Sequence, residues 1–141
     1  MAPRVVIDTS VLIAGLRSAL GASYQILQRL GRDEFVVSIS VPLVLEYESV
    51  AKRQARELGL TFDDIDDVLD YVCSIAEPRE IFYLWRPFLS DPRDDLVLEL
   101  AVEANADFIV THNLRDFAGV EQFGVEALSP GAFLRYLSTP Q

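Results

Sequence analysis

A chain of 141 residues, half of them hydrophobic, has the length of one domain and enough apolar residues for a single core. Its net charge of −10 argues against a protein that coats long nucleic acid, since phosphate neutralisation supplies most non-specific affinity, but leaves a metal-dependent enzyme open. No apolar run approaches the ~18 residues of a membrane span, and the N-terminus enters a strand without a secretion signal, so a cytoplasmic protein with no membrane partner is expected.

Residues 4–8 read as a first strand, continuously apolar up to Asp8, as expected of a parallel strand covered on both faces. Thr9 and Ser10 can cap a helix over 11–17, which Gly15 weakens. A second helical pattern covers 22–30, with Ile26, Leu27 and Leu30 on one side and Gly31 as its stop. Residues 35–38 form a short second strand. Ser40 then caps a helix with Pro42 in its first turn, running to Leu58 and Gly59. Thr61 and Asp64 stand at capping-box spacing and open another helix with an apolar stripe of Ile65, Val68, Leu69 and Val72. These two helices make an αα-hairpin. Cys73, the only cysteine, excludes an internal disulfide and reads as a small buried thiol.

Residues 81–84, aromatic and β-branched, read as a third strand. The helix over 94–105 is apolar almost all round, and only Glu99 and Glu103 mark a wet face. Residues 107–111 make a fourth strand, a fifth is expected near 125–128, and Ser129 with Pro130 starts a last short helix. Strands alternating with helices predict a single α/β domain over 1–141. Its expected architecture is a three-layer α/β/α sandwich around a parallel sheet of four or five strands.

Ligands of open parallel sheets bind beyond the carboxyl ends of the strands. Asp8 sits at such an end. Glu46 stands three residues after Leu43 and four before Val50, so its neighbours on the helix surface are apolar. A carboxylate on that stripe needs a partner, either a cation or a nearby Arg. Asp94 and Asp95 open the apolar helix, where the macrodipole favours negative charge. Asp116 follows the fourth strand. Each alone has an ordinary reading as a cap, turn or ion-pair residue. Gathered at one pocket, they would repel each other unless a cation sat among them. With one His and one Cys in the chain, the oxygen-loving Mg²⁺ or Mn²⁺ fits these ligands better than zinc. Carboxylate-held Mg²⁺ points in turn to phosphate chemistry. No G-x-S-x-G elbow, P-loop or G-x-G-x-x-G is present. His112 is the one candidate general base near this group. Lys52, Arg53 and Arg56, following Glu46 on its helix, read as a solvated face or as an RNA-backbone contact.

The stretch Val5-Val6-Ile7-Asp8-Thr9-Ser10-Val11-Leu12 resembles the opening of PIN-domain ribonucleases. Asp91-Pro92-Arg93-Asp94-Asp95-Leu96 and Ala106-Asp107-Phe108-Ile109-Val110-Thr111 resemble the second half of the same domain, in the branch of toxin–antitoxin toxins. The resemblance implies a Mg²⁺- or Mn²⁺-dependent endoribonuclease with Asp8, Glu46 and Asp94 as catalytic metal ligands. It maps a fourth acidic region onto 111–116, where many relatives carry Asp in place of Asn113, and leaves Asp116 to share that role. Ser10, Thr111 and Asp95 would support the ligands from behind. The resemblance further implies an RNA substrate, a protein antitoxin docking near 41–75, and a homodimer. Tyr47, Tyr71, Phe133 and Tyr136 are candidate interface aromatics for these contacts, or simply core residues. A catalytically silent PIN module that binds RNA or protein, and a Mg²⁺-dependent phosphatase on a related fold, remain as alternatives.

Overall fold

Strands that are apolar on both faces need cover on both faces, and the arrangement of helices answers that need. The computed structural model describes residues 2–82 and 88–139. The chain runs through β1 (Arg4–Ile7), α1 (Thr9–Arg17), α2 (Ala22–Gln28), β2 (Val36–Ile39), α3 (Val41–Arg53), α4 (Ala55–Leu58) and α5 (Phe62–Ile75). It continues through β3 (Glu77–Pro78), α6 (Pro92–Glu103), β4 (Phe108–Val110), β5 (Glu126–Leu128) and α7 (Pro130–Ser138). The five strands form one sheet of order β3-β2-β1-β4-β5, and every pairing is parallel. Alternate residues of the central strands go to opposite layers. Val6 and Ile109 pack with Leu43, Tyr47, Ile65, Val97 and Leu98 on one side. Val5, Ile7, Phe108 and Val110 pack with Ile26, Phe35 and Phe133 on the other. This is the three-layer α/β/α sandwich with a five-stranded parallel sheet.

The local signals hold at most boundaries. Ser40 Oγ accepts from the Leu43 amide at 3.3 Å, ahead of Pro42 in the first turn of α3. Thr61 and Asp64 form a complete capping box, Thr61 Oγ1 accepting from the Asp64 amide at 3.0 Å and Asp64 Oδ2 from the Thr61 amide at 2.9 Å. The first member of the hairpin breaks at Gln54, and α4 then ends at Gly59 in the left-handed region, φ 69°.

Three expectations need correction. The third strand is Glu77–Pro78, not 81–84; Ile81 and Phe82 lie outside any strand, and Tyr83 and Leu84 fall outside the described residues. The chain leaves α5 directly onto the edge beside β2, and Pro78, which has no amide hydrogen, is tolerated only at such an edge. Position relative to the sheet thus overrides β-propensity. Glu99 is 2 % exposed, so it does not mark a wet face. With α6 set against the sheet on one side and α3 on another, little of its circumference is left for water. Cys73 is exposed, not buried, because the α5 stripe that enters the core is Ile65, Leu69 and Val72.

Gly15 has a packing reason. A Cβ there would stand 2.4 Å from Leu27 Cδ1 and 3.2 Å from the Ser23 carbonyl oxygen, so its absence lets α1 and α2 approach. Gly15→Val should therefore destabilise the fold by about 1–3 kcal/mol despite the better intrinsic helix propensity of valine. Denaturant midpoints read this directly, and an unchanged or higher midpoint would mean that α2 shifts freely.

Candidate functional site

The sheet order reverses direction in sequence between β1 and β4, and the crevice at their carboxyl ends is where open α/β folds bind ligands. Asp8 follows β1 and Thr111 follows β4, so the register that aligns Ile7 with Val110 brings them together. Thr111 Oγ1 donates to Asp8 Oδ2 at 2.7 Å, and Ser10 Oγ donates to the same oxygen at 2.7 Å. These hydroxyls are themselves held: the Asn113 amide donates to Thr111 Oγ1 at 2.9 Å, and the His112 amide to Ser10 Oγ at 3.2 Å. Asp8 stands at the N-cap of α1 but makes no side-chain capping bond. Its buried carboxylate is oriented by two hydroxyls through one oxygen, leaving Oδ1 without a hydrogen-bond donor among the described residues. An ordinary capping aspartate would not be arranged this way.

Glu46 projects from α3, half-buried, and among the described residues no hydrogen bond or ion pair engages its side chain. The adjacent Tyr47 is 2 % exposed and its hydroxyl donates to the Ile7 carbonyl oxygen, immediately before Asp8. Burial, and secondarily the charge of Asp8, push the Tyr47 phenol far above its ordinary range, so it stays a neutral donor. Tyr47 therefore ties the helix carrying Glu46 to the strand carrying Asp8. It is a monomer core residue, not an interface aromatic, and Phe133 is fully buried as well. Sequence reasoning missed this positioning role; its only signal was an aromatic beside Glu46, on the residue that follows it.

Asp94 lies in the first turn of α6, whose N-cap Asp91 accepts from the Arg93 amide at 2.9 Å. Desolvation first, then the charges of Asp8, Asp91 and Asp116, raise the Asp94 carboxyl to about 7, against a smaller lowering by Arg93. The Arg93 guanidinium is bonded to Asp91 at 3.0 Å, and its own pKa is raised by Asp91 first and then by Glu46 and Asp94. Asp8, Glu46, Asp91, Asp94 and Asp116 thus share one electrostatic neighbourhood. As they stand, no three His, Cys, Asp or Glu side chains among the described residues converge tightly enough to share an ion.

The other expected site residues are distributed as follows. Asp116 lies exposed in a 3-10 turn, Leu114–Phe117, that Asn113 precedes. Asp95 is fully buried and accepts from the Leu89 amide at 3.0 Å, so it holds the 88–91 segment instead of standing beside Asp94. Lys52 is spent on the hairpin: it pairs with Glu48 at 3.1 Å and Asp66 at 2.9 Å, with its ammonium 5.3 Å from the Phe62 ring centre. Arg53 donates to Ser49 Oγ at 3.3 Å and, like Arg56, is exposed. No helix among the described residues is long and apolar enough to cross a membrane.

A family model described as the PIN domain matches residues 4–115, about four-fifths of the chain. A comparison with curated proteins finds no match. Among solved structures, VapBC2 from Rickettsia felis, bound to a DNA fragment from its promoter, contains a chain similar to this one. It shows 16 % identity and a TM-score of 0.63, with 89 % of this chain and 98 % of that one covered. DNA-bound VapBC from Salmonella typhimurium gives 15 % identity, a TM-score of 0.62, and 92 % and 99 % coverage. VapBC-1 from nontypeable Haemophilus influenzae gives 15 %, 0.60, and 91 % and 98 %.

The raised Asp94 carboxyl makes stability depend on pH. A group that binds its proton more tightly folded than unfolded contributes stability below the unfolded value, here 3.8, and loses it as pH rises through about 7. The depressed carboxyls, Asp64, Asp91 and Glu77, act with opposite sign, but at lower pH. The thermal midpoint of the metal-free protein should therefore fall between roughly pH 5 and pH 7.5, and Asp94→Asn should flatten the profile. A wild-type midpoint that rises over this interval contradicts the electrostatic grouping.

Proposed function

The chain belongs to the PIN domain family, and from that premise we propose that it is a divalent-metal-dependent endoribonuclease, the toxin of a toxin–antitoxin pair. The observation that carries the reading is the grouping of Asp8, Asp91, Asp94 and Asp116, where desolvation first and then the neighbouring charges raise the Asp94 carboxyl to about 7, beside a Glu46 that makes no hydrogen bond or ion pair among the described residues. The donors are all carboxylate oxygens, which suits Mg²⁺ or Mn²⁺, with Asp8, Glu46 and Asp94 as the ligands. Asp116 would assist from the rim, and Asn113, a neutral oxygen, would favour one ion over two.

Bound there, the cation supplies Lewis-acid charge for the phosphoryl oxygens and lowers the pKa of water. The chain's own residues do the rest. Ser10 and Thr111 hold Asp8 Oδ2, so that Oδ1 faces the crevice in one orientation. Tyr47 fixes the spacing of α3 from β1 and thereby of Glu46 from Asp8. Arg93, beside Glu46 and Asp94, offers a cation for a phosphate while bridged to Asp91. Hydrolysis needs no covalent nucleophile on the protein. His112 is not assigned a proton-transfer role, because its ring is engaged with Ser23 Oγ at 2.7 Å.

The VapBC complexes supply the support for a protein antitoxin. Its docking region is the αα-hairpin and the acidic crevice, where a basic side chain would take the place of the cation. The exposed apolar residues of this hairpin, Val41, Leu45, Phe62 and Tyr71, support self-association into a homodimer now that Tyr47 and Phe133 are assigned to the core. Light scattering at tens of micromolar (roughly the range where weak interfaces dissociate) should report a dimer, and a monomeric mass sinks this part.

The activity test uses single-stranded RNA with Mg²⁺ or Mn²⁺. Asp8→Asn, Glu46→Gln and Asp94→Asn should each lower cleavage by about 10²-fold or more while leaving metal-free stability equal or slightly higher, because each removes a repelling charge. Full activity in any two of them rejects the constellation. A wild type that binds RNA but never cleaves it makes the protein a silent PIN module.

A further inference from the structure

We propose that the cleft between α1 and α3 is a nucleobase subsite, receiving the base next to the scissile phosphate and favouring guanine. The proposal rests on the nuclease reading for the position of that phosphate, and on the cleft itself for the base.

The cleft has a volume of about 370 Å³, within the range of small-ligand sites. Its two walls step away from the acidic crevice in register. On α1 they pass from Ser10, which is bonded to Asp8, through Ile13 and Ala14 to Arg17. On α3 the same stripe that carries Glu46 continues one turn on as Val50 and ends at Gln54, the C-cap residue of the helix. A polymer whose phosphate lies at Asp8 and Glu46 therefore has its neighbouring base directed between these helices. The floor is apolar, Ile13, Ala14 and Val50, and suits a flat aromatic face. His112 stands at the inner end, its imidazole held by the buried Ser23 hydroxyl at 2.7 Å, and offers a fixed plane for stacking.

The far end defines the chemistry. Arg17 donates to Gln54 Oε1 at 2.6 Å and has no carboxylate partner among the described residues, in a chain with net charge −10. That bond occupies one lone pair of the Gln54 amide oxygen. The donors at this end outnumber the acceptors: the remaining N–H groups of the Arg17 guanidinium and the Gln54 Nε2 amide. A donor-rich rim favours a base edge with adjacent acceptors. Guanine offers O6 and N7 side by side, the pair that a guanidinium reads bidentately, whereas adenine places an amino donor at that position.

The test is fluorescence anisotropy of a labelled short oligouridylate with one central guanosine, in Ca²⁺ so that binding is read apart from cleavage. Wild type should bind it about ten-fold more tightly than the same oligonucleotide with adenosine or 7-deazaguanosine, and inosine should match guanosine. Arg17→Met and Gln54→Ala should abolish that preference, and Val50→Trp should block the cleft. Mn²⁺ affinity by calorimetry should stay at the wild-type value in all three, which certifies the fold and the acidic group. Equal binding of guanosine, adenosine and 7-deazaguanosine by wild type, or a Val50→Trp protein that keeps the preference, overturns the subsite. Base-blind binding with intact metal-dependent cleavage rejects the subsite alone. A retained guanosine preference without any cleavage rejects the nuclease reading and leaves the subsite standing.

Discussion

The site hangs on one hydrogen bond across the middle of the sheet, from Thr111 to Asp8, residues 103 apart in sequence. It exists because β1 and β4 are neighbours although two strands, β2 and β3, separate them in sequence, and because their register aligns Ile7 with Val110. A shift of one residue would turn each strand's side chains to the opposite layer and part the two. The core that sorts Val6 and Ile109 to one side and Val5, Ile7 and Val110 to the other therefore also sets the orientation of Asp8. Packing and site geometry are the same constraint, read at different points along the strands.

Around that bond the fold gathers carboxylates. Desolvation first, and then the charges of Asp8 after β1, Asp91 ahead of α6 and Asp116 in the turn after β4, raise Asp94 to about 7, in a protein already carrying ten excess negative charges. Contacts from the core determine where these carboxylates stand. Tyr47 is one such determinant, locking α3 to the end of β1 from within the core. Asp95 is another: its buried carboxylate anchors the Leu89 amide ahead of α6 and so fixes where that helix begins. Both act beside a candidate ligand, in the adjoining position of the chain, and both face inward where the ligand faces out.

Basic residues are distributed by the same logic. Lys52 bridges the hairpin between Glu48 and Asp66, and Arg93 is bridged to Asp91 at the edge of the acidic group. Arg17 differs in resting against an amide. An acidic chain places few cations near its crevice, and where each one is committed matters more than how many there are.

The order of apolar runs, the capping signals at Ser40 and Thr61, and the helix stop at Gly59 determined the α/β sandwich, because these are local: each needs only neighbours within one or two turns. The acids at strand and helix ends were legible for the same reason, as charges where the pattern calls for apolar residues or caps. What the sequence could not decide was burial around a helix and the choice of edge strand. Glu99, Cys73, Tyr47 and the 77–78 strand all depended on which neighbour the tertiary structure laid against them. Nor could spacing show that Asp95 turns into the core while Asp94 faces Asp8, or that Arg17 and Gln54 meet across two helices. Periodicity tells which residues share a face; only the packed chain tells what that face meets.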